Sequence, residues 1–216
     1  MRIARLVTVI IVAATAPLFA TPRTSSPQTN RLAVQVNLEF DPSITSSTIK
    51  TIARDEAAAI WKVYGVDLLW TDPAAPAALT LDVIVERSPQ RLDVDGPSVL
   101  GHTTIASAPA APAPIRVSFN AIEVLLTRRH GAYPLSHSRE MGTAFGRVLA
   151  HEIGHVLLGT QHDSGGLMRP AFRSDDLVWP DRSLFRLMPP SLARLRVRMA
   201  SWSCPQASDS AARPIE

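Results

Sequence analysis

A chain of 216 residues, of which 46% are hydrophobic and 19% charged, is long enough for one well-buried domain and too apolar for a disordered protein. Its 22 basic and 19 acidic residues nearly balance, which excludes a strongly basic surface of the kind that binds nucleic acids. The single cysteine, Cys204, excludes an intrachain disulfide, so stability must come mainly from the buried core.

The first 20 residues have the layout of a secretory signal peptide. Two arginines precede an apolar run from Leu6 to about Ala16, and small residues follow near Ala20. This run is shorter than the roughly 20 apolar residues that cross a bilayer. We therefore expect cleavage near Ala20, secretion, and no stable insertion in a membrane afterwards. An uncleaved anchor helix is the alternative.

The rest of the chain divides into a polar linker over residues 21–31, one domain over 32–203 and a polar tail over 204–216. Five segments are predicted to be strands, because apolar and polar residues alternate in them or they are short apolar runs. They are 32–40, 66–70, 79–86, 98–106 and 115–120. Helical spacing predicts helices within 41–65 and over 121–129, about 138–158 and 191–202, with an irregular stretch at 159–190. This order predicts an α+β or α/β fold in which helices pack on a twisted sheet.

The segment HEIGHVLLGTQHD, residues 151–163, contains three histidines. His151 and His155 are four residues apart on the predicted long helix, so both side chains project from one face and can bind one Zn²⁺ ion. Glu152 lies on the flank of the same face, where a general base for a zinc-bound water is expected. The alternative is a pair of core histidines beside a surface glutamate, which the rarity of the pattern and its position in a buried helix argue against.

A catalytic zinc ion needs a third protein ligand and an open position for water. Gly159 can end the helix with a positive φ, and His162 follows three residues later, so the chain can turn and present His162 to the metal. Asp163 is an alternative third ligand because it is adjacent. Asp175 and Asp176 are more distant alternatives.

The run HEIGHVLLGTQHDSGGLM resembles the metzincin zinc endopeptidases, whose pattern is H-E-x-x-H-x-x-G-x-x-H followed by a methionine turn. It is also similar to segments of small secreted bacterial proteins of predicted metzincin type. The resemblance covers about 32–200 in layout and is specific over 148–170. The chain departs from the pattern in having three residues between His155 and Gly159, where the family has two. One additional helical residue rotates the helix exit by about 100° and lengthens it by about 1.5 Å.

The resemblance implies a zincin fold, in which a twisted mixed sheet packs on two long helices and a small C-terminal subdomain carries the Met-turn and the last helix. It also implies roles for five residues, namely the zinc ligands His151, His155 and His162, the general base Glu152 and the turn methionine Met168. If His162 is the third ligand, Asp163 becomes a residue that supports a ligand or anchors a helix. A glutamate ligand of the gluzincin kind is nearly excluded, because Glu216 is the only glutamate after Glu152.

The predicted function is that of a secreted, monomeric, zinc-dependent endopeptidase that hydrolyses peptide bonds with a zinc-bound water activated by Glu152. By analogy with the family, we expect a peptide or protein substrate to lie antiparallel to an edge strand, with residues 98–106 as the candidate. The alternative is a non-catalytic, zinc-stabilised binding protein on the same scaffold. The intact Glu152 argues against that alternative, because a purely structural site does not need a base.

Overall fold

The computed structural model of the protein describes residues 31–70, 77–87, 100–103, 114–130, 137–159 and 161–203. The signal peptide predicted over 1–20 and the tail over 204–216 with Cys204 lie outside the described residues, as does nearly all of the linker over 21–31, and all three stay predictions. Among the described residues, no helix is both long enough and apolar enough to cross a membrane.

The strands in the described part of the domain form one mixed sheet. They are β1 (Leu32–Phe40), β2 (Val66–Leu69), β3 (Leu79–Glu86), β4 (Gly101–His102) and β5 (Ile115–Ser118). Their order across the sheet is β2-β1-β3-β5-β4, with β1 parallel to β2 and β3, and β3 parallel to β5. Strand β4 runs antiparallel to β5 at the end of this order. The predicted α+β class with a mixed sheet is therefore confirmed.

The helices are α1 (Ser47–Lys62), α2 (Phe119–His130), α3 (His137–Leu158), α4 (Ser174–Val178) and α5 (Pro189–Ser203). The two long helices α1 and α3 pack against each other and against one face of the sheet. Val34 and Val83 on that face are completely buried, and Phe40 contacts the ring of Phe145 on α3. Glu39, on the opposite face of β1, is exposed. The core therefore lies between the sheet and these two helices and holds α3 in place.

Local side-chain contacts set several of the element boundaries. Ser46 accepts a hydrogen bond from the Ile49 amide and caps α1, as the Ser/Thr-rich start of this segment predicts. The strand predicted over 115–120 ends earlier, because the Ser118 hydroxyl accepts a hydrogen bond from the Ala121 amide (3.3 Å) and helix α2 begins at Phe119. Of the strand predicted over 98–106, the described residues contain only β4.

The stretch 159–190, predicted to be irregular, contains α4 and a short 3-10 helix, Arg182–Phe185. The Asp181 carboxylate accepts a hydrogen bond from the Ser183 amide (2.9 Å) and caps the 3-10 helix. Both segments are too short to show helical periodicity in the sequence. Helix α5 begins at Pro189, two residues before the predicted start, because proline needs no amide partner in the first helical turn.

Candidate metal centre

Helix α3 brings the first two histidines of the motif together. His151 is 6% exposed, and its Nε2 lies 3.0 Å from the Nε2 of the less buried His155. Their spacing of one helical turn places both rings on one face, with ring centroids 4.6 Å apart. The two imidazoles therefore point at the same small volume.

The chain after α3 returns to these two histidines. The three residues between His155 and Gly159 all belong to α3, and the Gly159 amide donates to the His155 carbonyl oxygen at 3.0 Å. Gly159 has a φ of +95°, a value that favours glycine, so the helix ends there as predicted. The ring of His162 then lies 4.9 Å from the ring of His155 and 5.5 Å from that of His151. The additional residue therefore lengthens the helix and does not keep His162 away.

The hydrogen bonds of the histidines show that their free nitrogens fit a metal ion. The Nδ1 atoms of His151 and His155 lie 2.7 Å and 3.4 Å from the carbonyl oxygens of Leu167 and Gly159. A carbonyl oxygen only accepts hydrogen bonds, so each Nδ1 carries the hydrogen and each Nε2 keeps a lone pair. These lone pairs face each other at 3.0 Å. A tetrahedral zinc ion with Zn–N bonds of about 2.0–2.1 Å holds two nitrogens about 3.3 Å apart, which is close to this spacing.

The electrostatics of the site keep His151 and His155 in the form that binds a metal. Burial, with smaller contributions from the neighbouring His155, His162 and Arg169, lowers the pKa of His151 to about 4 in spite of the opposing hydrogen bond to Leu167. Burial also lowers the pKa of His155. Neutral imidazoles at physiological pH are ready to donate their lone pairs. One ligand atom from each of the three histidines lies within 4.8 Å of the others, so the triad could bind a metal ion.

Glu152 follows His151 on α3, and its buried side chain contacts the segment that contains β4. It is 5% exposed, and its Oε2 accepts a hydrogen bond from the Thr103 hydroxyl at 2.6 Å. Burial raises the pKa of this carboxyl to about 7, against a smaller lowering by Thr103. A Cβ atom at Gly101 would lie 2.5 Å from Glu152 Oε1, so only a glycine lets the strand approach this closely. A carboxyl with a pKa near neutrality can both accept and release a proton.

Met168 and Asp163 hold the segment that follows His162. Met168 is completely buried, and its carbonyl oxygen accepts a hydrogen bond from the Asp163 amide at 2.8 Å. Its sulfur would lie only 2.4 Å from a Cβ atom at Gly154, so Met168 packs directly against α3. The Asp163 carboxylate accepts hydrogen bonds from Ser191 (2.5 Å) and Arg194 (3.2 Å) on α5. Asp163 therefore engages the last helix and not the histidines.

The other candidate acidic ligands lie on α4. The Asp176 carboxylate pairs with Arg169 at 2.8 Å, and Asp175 is its neighbour in the first turn. Within the described ranges, His151, His155 and His162 form the one group of three potential ligands close enough to hold a metal ion. The geometry therefore favours His162 over an aspartate as the third ligand.

Sequence reasoning missed four residues around the site, namely Gly101, Thr103, Leu167 and Phe172. One residue separates Gly101 from Thr103, and in a strand this spacing places both on the same side. It is the one feature of the sequence that connects these two residues. The carbonyl group of Leu167 and the ring of Phe172, which lies 5.2 Å from the His151 ring, carry no local signal. Their positions depend on how the C-terminal segment packs on α3.

Comparison of the sequence with models of known protein families gives no match, and comparison with curated proteins gives none either. Among solved structures, the chain is similar to archaemetzincin from Methanopyrus kandleri, with 13% sequence identity and a TM-score of 0.48. The match covers 81% of this chain and 98% of that chain. The case for a function therefore rests on the geometry of the site itself.

Proposed function

We propose that the protein is a zinc-dependent endopeptidase that acts after export from the cell. The observation that carries this proposal is the convergence of His151, His155 and His162, together with the buried carboxyl of Glu152, the residue that follows His151 on α3. Three imidazole donors suit zinc among the common metal ions, and three protein ligands leave a fourth position for water and substrate. Glu152 supplies the general base that a site of purely structural function does not require.

When bound, the zinc ion supplies Lewis acidity, which polarises the scissile carbonyl group and makes water easier to deprotonate. The ionised carboxylate of Glu152 would accept the proton of the attacking water and, as the carboxylic acid, deliver it to the leaving amine. Thr103 holds Oε2 at 2.6 Å, which leaves Oε1 to carry the proton. In the metal-free protein, burial raises the pKa of Glu152 to about 7, so its carboxylate is a stronger base than that of an exposed glutamate.

The proposed substrate is an extended peptide or a protein segment. Strand β4 stands at the end of the sheet order in the described part of the chain, and its Thr103 end contacts Glu152. An extended peptide that pairs antiparallel with this strand would have its backbone next to the carboxyl and the histidines. The main-chain hydrogen bonds of such pairing recognise any sequence, so side-chain preference must come from neighbouring surfaces.

The test is cleavage of a fluorogenic peptide library by zinc-loaded protein. We expect Glu152→Gln to lower the rate at least about 100-fold while zinc stays bound, because the variant loses the base and keeps the ligands. Glu39→Gln is the matched control, since it makes the same change at an exposed position on the opposite face of the sheet. Stoichiometric zinc without cleavage that depends on Glu152 would contradict the peptidase proposal and support a zinc-stabilised binding protein.

Export has a separate test, because it rests on the sequence of residues 1–20. The full-length gene is expressed and the protein is recovered from the extracellular or periplasmic fraction for N-terminal sequencing. We expect the recovered chain to begin near Thr21. A protein that keeps Met1 and stays in the membrane fraction would contradict export with cleavage.

A further inference from the structure

A pair of stacked phenylalanine rings outside the motif reaches the candidate metal site through one of its members. The ring of Phe172 contacts the ring of His151 edge to face, with centroids 5.2 Å apart and planes at 86°. Phe172 in turn stacks on Phe185 at 5.6 Å, and Phe185 is 2% exposed. We call Phe172 and Phe185 the aromatic buttress. Through Phe172, this pair contacts the ring of His151.

A buried ion pair fixes one end of the aromatic buttress. The guanidinium group of Arg147 lies 4.5 Å from the centroid of Phe185 and is 1% exposed. Its Nε donates to the Glu56 carboxylate at 2.9 Å, and Nη1 donates to the carbonyl oxygen of Asp176 at 2.9 Å. Glu56 also pairs with Arg182 at 2.7 Å. Helices α1, α3 and α4 therefore converge on one arginine that holds Phe185.

A second arginine fixes the other side of the aromatic buttress. Arg169 lies 5.3 Å from the centroid of Phe172 and 5.6 Å from that of Phe185. It donates to the Asp176 carboxylate at 2.8 Å and to the carbonyl oxygen of Leu184 at 2.6 Å. With both rings held by anchored cations, Phe172 has little freedom to move away from His151.

We propose that Phe172 is a positioning residue, which holds the His151 imidazole plane so that Nε2 faces the other two histidines before a metal ion arrives. The hydrogen bond from Nδ1 to the Leu167 carbonyl oxygen fixes one edge of the ring at 2.7 Å but leaves it free to tilt about that bond. Phe172 blocks this tilt from the side. Groups that orient a ligand in this way raise metal affinity because less order is lost on binding. The inference rests on the metal centre of the proposed function and not on peptidase activity.

The experiment compares three variants with the wild-type chain. Phe172→Leu removes the ring, and Phe172→Tyr keeps its face and edge against His151. Phe40→Leu is the matched control, because Phe40 is also half-buried, pairs with another ring at 5.7 Å (Phe145) and has a cation 5.0 Å away (Lys50). It differs in lying away from the histidines, so it reports the cost of losing a ring in the core.

Two measurements are made on each protein, namely the zinc dissociation constant by competition with a chromophoric chelator and the visible absorption spectrum of the Co²⁺-substituted protein. We expect Phe172→Leu to weaken zinc binding about 10- to 100-fold and to alter the cobalt spectrum. Phe172→Tyr and Phe40→Leu should match the wild type in both measurements. A change in thermal stability alone would not move the cobalt spectrum.

The inference is overturned if Phe172→Leu has wild-type affinity and spectrum, or if Phe40→Leu weakens binding as much as Phe172→Leu does. It is also overturned if the wild-type chain binds no zinc. A wild-type chain that binds zinc and cleaves no peptide contradicts the peptidase proposal alone, since the variants still report on positioning. The two failures are therefore distinguishable.

Discussion

The buried carboxyl of Glu152 is expected to destabilise the metal-free protein at neutral and alkaline pH. Burial raises its pKa from 4.5 to about 7, so the folded state binds this proton more tightly than the unfolded chain does. The folded state is therefore penalised as the pH rises from about 4.5 to 7, and the penalty stays constant above that range. The difference between the two pKa values corresponds to about 3 kcal/mol.

Glu152→Gln removes the charge but keeps the size of the side chain and an oxygen that can accept the Thr103 hydrogen bond. We expect the variant to gain stability relative to the wild type as the pH rises, by about 2 kcal/mol between pH 5 and pH 8. The measurement is urea unfolding of both proteins in the presence of a chelator, at several pH values. Comparing the two pH values cancels any constant effect of burying the amide.

The exposed Glu39→Gln variant serves as the control and should show no such trend. If the stability difference between Glu152→Gln and the wild type is the same at pH 5 and pH 8, the argument from burial is wrong. A trend of opposite sign would mean that an unrecognised cation stabilises the carboxylate in the folded state.

Three further variants test other parts of the site. Gly101→Ala should lower peptide cleavage about 100-fold, because the added Cβ would lie 2.5 Å from Glu152 Oε1 and displace the base. The zinc content should stay unchanged, and loss of zinc would contradict this explanation. His162→Ala should weaken zinc binding more than about 100-fold by chelator competition, and unchanged affinity would point to a different third ligand. Arg147→Met should lower the free energy of unfolding, measured by urea denaturation, by about 3 kcal/mol, because buried Glu56 loses one of its two arginine partners. An unchanged free energy of unfolding would contradict this expectation.

The sequence predicts those features of the fold that depend on local spacing. The alternation in LAVQVNLEF predicts β1 with the bounds that the structure has, Leu32–Phe40. The spacing of four between His151 and His155 predicts a shared helix face, and the structure brings their Nε2 atoms to 3.0 Å. The positive φ of Gly159 likewise follows from its position after an amphipathic run. In each case the cause lies within one helix or strand.

The rest of the site depends on packing between distant segments, which spacing does not reveal. Thr103 reaches Glu152 across 49 positions of the chain, and Arg147 reaches Glu56 across 91. Neither pair has a periodic pattern that would link its members. The sequence predicts an irregular stretch at 159–190 for the same reason, since no periodic pattern there marks a helix. The two short helices of this stretch are held by Arg147 and Asp181 and not by an apolar stripe of their own.

We propose that three imidazole nitrogens and no carboxylate of the chain hold the metal ion. X-ray absorption spectroscopy of the zinc-loaded wild-type protein tests this most directly. We predict a first shell of nitrogen and oxygen at about 2.0–2.1 Å, with outer-shell scattering that requires three imidazole rings. A spectrum that fits two imidazoles and a bound carboxylate, or a protein that retains no zinc at all, would contradict this set of ligands.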